Sequence, residues 1–303
     1  MKIIQSFAQF DDGCFHYVNG DLKGTEIYLN FYTFLLSFLT LKKYYGAVTM
    51  YCNKKAYDTF IKYIPYDEIV IKENNYTTDY WSAYKLDIIS EMKEDFIHVD
   101  SDVFIFDDLF KPFIDNQDKY DLIVQDILSN KKLISWCKPV SDYIFDNIDF
   151  YNDNNICDKN IYEDKIRSFS CGVIGMNLKV RDIYLKNTMK IYDKMYNEKY
   201  TNSTVGMLLE EMTLYLTAIK NNFKWYDVLP DEEKIGYVKS DNYTHMWLKT
   251  KFVLDNILLI KNKIKFFGYE YLINDYEKSI SNKDILVYKK IDNNLLTIKK
   301  YEI

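Results

Sequence analysis

The chain has 303 residues, 48% of them hydrophobic, enough for a sizeable core. Its 45 acidic and 39 basic residues leave a net charge of -6, which gives no general field for nucleic-acid phosphate and sets DNA and RNA binding aside. The five cysteines (Cys14, Cys52, Cys137, Cys157 and Cys171) include no C-x-x-C pair, so neither a disulfide framework nor a thiolate zinc site is expected.

From the amino terminus, Ile3 to Ala8 reads as a short first strand. Residues 1–13 lack a signal-peptide layout, because Gln5, Ser6 and Gln9 interrupt the apolar run. Ile27 to Tyr45 is apolar nearly all round, as in a helix buried against a sheet, and stops at Gly46. Its most apolar part, Ile27 to Leu41, contains Asn30 and is too short to span a bilayer comfortably. A soluble, cytoplasmic protein without a transmembrane segment is expected. Ala47 to Cys52 is a second strand, Lys54 to Tyr63 a helix and Glu68 to Lys72 a third strand. This alternation predicts a mostly parallel sheet flanked by helices, whose ligands gather at the strands' carboxyl ends.

A helix follows over Trp81 to Met92, with Lys85 set in its apolar stripe, where an ammonium either snorkels or meets an anion. Phe96 to Val99 is a strand that delivers Asp100-Ser101-Asp102, and Val103 to Phe106 is a further apolar run. Tyr120 to Gln125 is another strand, and residues 130–165 are polar and irregular around Trp136. Phe169 to Met176 forms a strand carrying Gly172 and Gly175; helices over about 180–197 and 204–220 and a strand at Phe223 to Val228 come next. The last twenty residues alternate around Asp292-Asn293-Asn294, the pattern of a hairpin. A catalytic domain over 1–260 and a helix-and-hairpin appendage over 261–303 are expected.

The chemistry centres on Asp100 and Asp102. Two carboxylates one residue apart in a turn can converge on one hard cation, and Mg²⁺ or Mn²⁺ takes oxygen ligands while bridging diphosphate oxygens. An Asp-x-Asp alone recurs by chance, and turns favour Asp for local hydrogen bonding; the buried strand before it strengthens the metal reading. His16 has no context, His98 reads as structural, and His245 is the histidine that could join the acids.

The run from Trp81-Ser-Ala-Tyr-Lys85 through His98-Val-Asp-Ser-Asp-Val-Phe-Ile-Phe-Asp-Asp-Leu-Phe110 resembles the core of GT-A-fold glycosyltransferases, glycogenin-like enzymes in particular. Phe169-Ser-Cys-Gly-Val-Ile-Gly-Met-Asn177 is similar to that family's strand lining the donor sugar, with Cys171 where a serine is usual. Leu208-Leu-Glu-Glu-Met-Thr-Leu214 resembles its acidic helix start, with Glu210-Glu211 in place of Asp-Gln. Thr244-His-Met-Trp-Leu-Lys249 resembles its carboxyl-terminal His…Lys element at a shorter spacing, which leaves Lys251 as a competitor to Lys249.

The resemblance implies a GT-A fold and transfer of a sugar from a nucleotide-sugar, with UDP the nucleotide, to a saccharide or other hydroxyl acceptor. It implies Asp100, Asp102 and His245 as ligands of Mn²⁺ or Mg²⁺. Lys85, Asp100, Ser101, Gly172 and Lys249 are its expected donor contacts. Strand-end geometry adds Ser6 and Phe7 beside the nucleotide, and Trp136 is a candidate acceptor platform. Glu210 and Glu211 are the candidate catalytic carboxylates, with Glu211 preferred because helical spacing places it nearer the apolar side. Two other functions fit part of the pattern. A haloacid-dehalogenase-type phosphohydrolase also carries a strand-borne Asp-x-Asp, but no Gly-Asp dipeptide follows residue 110. A non-catalytic GT-A-like carbohydrate-binding or assembly protein would have no need of a metal.

Overall fold

The computed structural model describes residues 1–10, 25–77, 80–128, 138–144, 168–200, 205–229, 238–239, 242–246, 253–281, 283, 287–291 and 294–298. The main sheet has seven strands in the order β3-β2-β1-β4-β7-β6-β8. These are β1 (Lys2–Phe7), β2 (Val48–Cys52), β3 (Glu68–Ile71), β4 (Phe96–Val99), β6 (Leu122–Leu128), β7 (Ser168–Met176) and β8 (Trp225–Asp227). The pairs β1–β2, β2–β3 and β6–β8 are parallel, while β7 runs antiparallel to both β4 and β6. The expected α/β architecture with a mostly parallel sheet is therefore present. By contacts the chain divides into two units: Ile3–Asn74, Asp100–Asp108 and Gly236–Ile303 form one, and Met1–Lys2, Asn75–Val99 and Leu109–Ile235 the other.

In the unit containing the first three strands, helix α1 (Asn30–Tyr45) follows a 3-10 turn at Thr25–Leu29. Every residue from Phe31 to Leu41 is buried, which explains a helix with almost no polar face. Gly46 closes it at φ 79°, a backbone that residues with a Cβ rarely adopt, and donates its N–H to the Lys42 carbonyl. Asn53 caps helix α2 (Lys54–Thr59) by accepting the Ala56 N–H at 3.1 Å. A second, three-stranded sheet has the order β5-β10-β9, built from β5 (Val103–Ile105), β9 (Val238–Lys239) and β10 (Tyr243–His245). Helices α7 (Leu254–Phe266) and α8 (Glu270–Ile280) come next, and β11 (Val287–Ile291) pairs with β12 (Asn294–Ile298) as the expected hairpin. Tyr276 of α8 stacks on Phe31 at 3.9 Å and donates its hydroxyl to the Tyr28 carbonyl, tying α8 to α1.

In the other unit, β4, β7, β6 and β8 carry helices α3 (Trp81–Ser90), α5 (Leu178–Asn197) and α6 (Val205–Lys220), with the short α4 (Lys111–Ile114) before β6. Asn177 starts α5 by accepting the Val180 N–H at 2.9 Å. Helix α6 packs against β7, α5 and α3 together, so it is buried from Val205 to Ala218. Its Gly206 permits the approach to α3: a Cβ there would lie 2.4 Å from the Trp81 indole nitrogen. Among the described residues no helix is long and apolar enough to cross a membrane.

Candidate functional site

The acidic pair sits where strand chemistry ends. β4 is buried throughout, and directly after Val99 the chain turns: the Val103 N–H donates to the Asp100 carbonyl at 3.0 Å, making Asp100 to Val103 a hydrogen-bonded turn. β5 then pairs antiparallel with β10, with Val103 opposite His245, and the Met246 N–H extends the ladder to the Asp102 carbonyl at 3.0 Å. That register sets His245 beside the turn. Its Nε2 lies 3.4 Å from Asp102 Oδ1, and one ligand atom from each of Asp100, Asp102 and His245 falls within 4.8 Å of the others.

Two ligands of one such cation, each about 2.1 Å from it, stand at most about 4.2 Å apart, so small side-chain rotations close this set. Two carboxylate oxygens and one imidazole nitrogen suit Mn²⁺; the nitrogen makes the set less typical of Mg²⁺. Asp100 and Asp102 are only partly buried, whereas His245 is 5% exposed. Ser101 is buried between the acids, and its hydroxyl has no hydrogen-bond partner among the described residues.

A second polar cluster lies within the other unit. Lys85 of α3 reaches Glu210 Oε1 of α6 at 2.7 Å and donates to the Cys171 carbonyl of β7 at 3.1 Å. The expectation that this ammonium snorkels or meets an anion thus resolves as an ion pair, with its side chain 6% exposed and that of Glu210 1%. Burial pushes the Glu211 carboxyl well above its ordinary value, and neighbouring Glu210 and Asp126 raise it further; Lys85 and the Cys171 N–H only partly oppose this. Burial beside Lys85 holds His98 far below the usual imidazole range, in keeping with its structural reading.

The other residues expected from sequence fall in several places. Helical spacing sets Glu211 nearer the apolar side than Glu210, but the structure reverses the order: Glu210 is 1% exposed and Glu211 8%. The reason is that α6 is covered on more than one side, so no single stripe defines its interior. Phe7 packs its ring on Phe34 and Phe60, a core position, while Ser6 beside it is half-buried. Gly172 lies buried in β7, next to the Cys171 carbonyl that Lys85 holds. Trp136, Lys249 and Lys251 lie outside the described residues. Asp126, 2% exposed, carries no sequence signal of its own; it stands past the predicted strand end because β6 continues through an irregularity between Val124 and Asp126.

Among solved structures, the galactosyltransferase LgtC in complex with donor and acceptor sugar analogs shares 9% identity over 92% of this chain and 96% of its own, at a TM-score of 0.45. The inositol-1-phosphate CTP transferase from T. maritima shares 13% identity over 88% and 96%, at 0.43. The WbbM bifunctional glycosyltransferase shares 11% identity at 0.37, and this chain, matched over 75% of its length, spans only 38% of that one. No curated protein matches the sequence. Residues 1–278 match the family of unknown function DUF6734, and the chain belongs to that family.

Proposed function

We propose that this protein is a metal-dependent glycosyltransferase of the GT-A type, acting on a nucleotide-sugar whose nucleotide is UDP. One observation carries the reading: the side chains of Asp100 and Asp102 and that of His245, remote from them in sequence, converge where a buried strand of an α/β sheet ends. Asp100, Asp102 and His245 would hold Mn²⁺. The bound cation would offset the charge of the departing nucleoside diphosphate.

The protein's own contribution is preorganisation. The Asp100–Val103 turn fixes the two carboxylates, and the β5–β10 register fixes the imidazole, so little reorganisation is left for substrate binding. Ser101 brings a buried hydroxyl to the same turn and is assigned to the donor. The assignments of Gly172 and Lys249 to the donor and of Trp136 to the acceptor rest on the sequence resemblance, and that of Ser6 to the nucleotide on its place at the end of β1. For Glu211, a carboxyl pushed towards its neutral form favours donating a hydrogen bond to an oxygen. Glu211 is accordingly assigned to orienting a sugar hydroxyl. Residues 1–260 are assigned to the catalytic domain and 261–303 to an appendage.

The test is slow donor hydrolysis: a panel of UDP-sugars is incubated with the protein and Mn²⁺, and UDP release is followed. The wild type should release UDP from one or a few donors. Asp102→Asn should lower the rate roughly a hundredfold, on the scale of the several kcal/mol that a Lewis-acid metal supplies. Equal rates for the two proteins would refute the assignment.

A further inference from the structure

Glu210 and Glu211 are neighbours on α6, about 100° apart around its axis, and other elements of the same unit hold them as a pair. The Cys171 peptide of β7 donates its N–H to Glu211, and its carbonyl accepts from Lys85 at 3.1 Å. Lys85 of α3 in turn holds Glu210 at 2.7 Å. Glu211, Cys171, Lys85 and Glu210 thereby form a ring that closes through the α6 backbone.

Tyr184 of α5 fixes the closing link. It is fully buried, and its hydroxyl donates at 3.1 Å to the Glu210 carbonyl, the oxygen of the peptide that joins the two glutamates. Thr213 reaches the same oxygen at 3.4 Å, and Thr188 of α5 meets the Thr213 hydroxyl at 2.9 Å.

Stability does not call for such an arrangement. Burying Lys85 with Glu210, Glu211 and Asp126 carries a desolvation cost that apolar side chains of similar volume would not. One atom is also left over: Glu211 Oε2 is buried and has no hydrogen-bond partner among the described residues. Buried polar atoms are paired as a rule, so a carboxyl held on one side and open on the other is placed for something that arrives.

We propose that Tyr184 is a positioning residue, which fixes Glu211 through the Glu210 peptide so that Oε2 meets a sugar hydroxyl at a set angle. The sugar in this statement rests on the glycosyltransferase reading; the placing of Glu211 does not.

The experiment compares the wild type, Tyr184→Phe and Tyr80→Phe in UDP release from UDP-sugars with Mn²⁺, and in melting temperature. Tyr80 is the control, a buried tyrosine of the same unit whose hydroxyl donates to the Tyr200 carbonyl at 2.6 Å. Each variant loses one hydroxyl-to-carbonyl bond, so both should melt lower by a similar amount. Tyr184→Phe should lower kcat about tenfold, within the roughly hundredfold that a misplacement of about 1 Å can cost, and leave KM within about twofold. Tyr80→Phe should keep the wild-type kcat.

A readout free of the reaction is the carboxyl C=O stretch of Glu211, isolated as the infrared difference between the wild type and Glu211→Gln. Tyr184→Phe should broaden and shift that band, because the carboxyl is no longer held in one geometry, whereas Tyr80→Phe should leave it in place. A kcat loss in Tyr184→Phe no greater than in Tyr80→Phe, or an unmoved Glu211 band in Tyr184→Phe, would overturn the proposal. A wild type that releases no UDP from any sugar would sink the glycosyltransferase reading instead, and the band alone would then decide the placing of Glu211.

Discussion

Two clusters of carboxylates in this protein use the same functional group in opposite ways. Asp100 and Asp102 stand only partly buried on a turn, the Asp102 side chain 16% exposed, with an imidazole as neighbour. Glu210, Glu211 and Asp126 are 1%, 8% and 2% exposed, and Lys85 forms an ion pair with the first of them. Solvent access keeps charge inexpensive at the turn, so those acids are suited to gripping a cation. Burial makes charge costly in the interior, so those acids must be paired or hold a proton. Environment, not residue type, decides which carboxylate does what.

The sharpest way to break the comparison is at Lys85. Lys85→Met leaves Glu210 buried without its counter-ion and should cost about 3–5 kcal/mol in urea unfolding. Lys85→Met combined with Glu210→Leu should recover most of that loss, because a hydrophobic pair of similar volume replaces a buried ion pair at little cost. A loss below about 1 kcal/mol, the range of exposed pairs, would mean that solvent screens this one too.

Packing around the interior cluster offers a smaller effect. Gly206→Ala places a Cβ 2.4 Å from the Trp81 indole and forces α6 away from α3. It should lower stability by about 1–3 kcal/mol by the same measurement. Unchanged stability would mean that the Trp81 side chain moves aside freely.

The smallest effect is in pH dependence, where the sign is informative. The folded-state value of Glu211 is raised above its ordinary 4.5, so the folded protein binds more protons than the unfolded chain between those two values. Its contribution is fully present below pH 4.5 and is lost as pH rises through the folded value. Glu211→Gln has no such titration, so its melting temperature should gain on the wild type above pH 4.5. Within that window the wild type should give up about 1.4 kcal/mol for each step of one in pH. Parallel melting curves across that range would place Glu211 in contact with water.

Much of this arrangement was legible in the sequence because it is local. Phe96 to Val99 is a strand with the bounds its apolar run predicted, and the turn residues follow at once. Lys85 in an apolar stripe announced an ammonium that either snorkels or meets an anion, but not which, since Glu210 lies on another helix. What could not be read was register and cover. Nothing in Thr244-His245 says that it pairs with Phe104-Val103, yet that ladder is what sets His245 beside the turn. The order of burial of Glu210 and Glu211 reversed because it depends on how many elements cover α6, and Asp126 was hidden by an irregularity that prolongs β6. One helix was expected in an appendage over 261–303, whereas α7 already begins at Leu254 and α8 follows it.

The central claim is that Asp100, Asp102 and His245 bind one divalent cation, and Mn²⁺ titration followed by calorimetry tests it most directly. The wild type should bind one Mn²⁺, more tightly when UDP is present, while Asp102→Asn and His245→Ala should each weaken it at least about tenfold without unfolding the protein. Undiminished Mn²⁺ binding by Asp102→Asn would place the metal elsewhere and contradict the account.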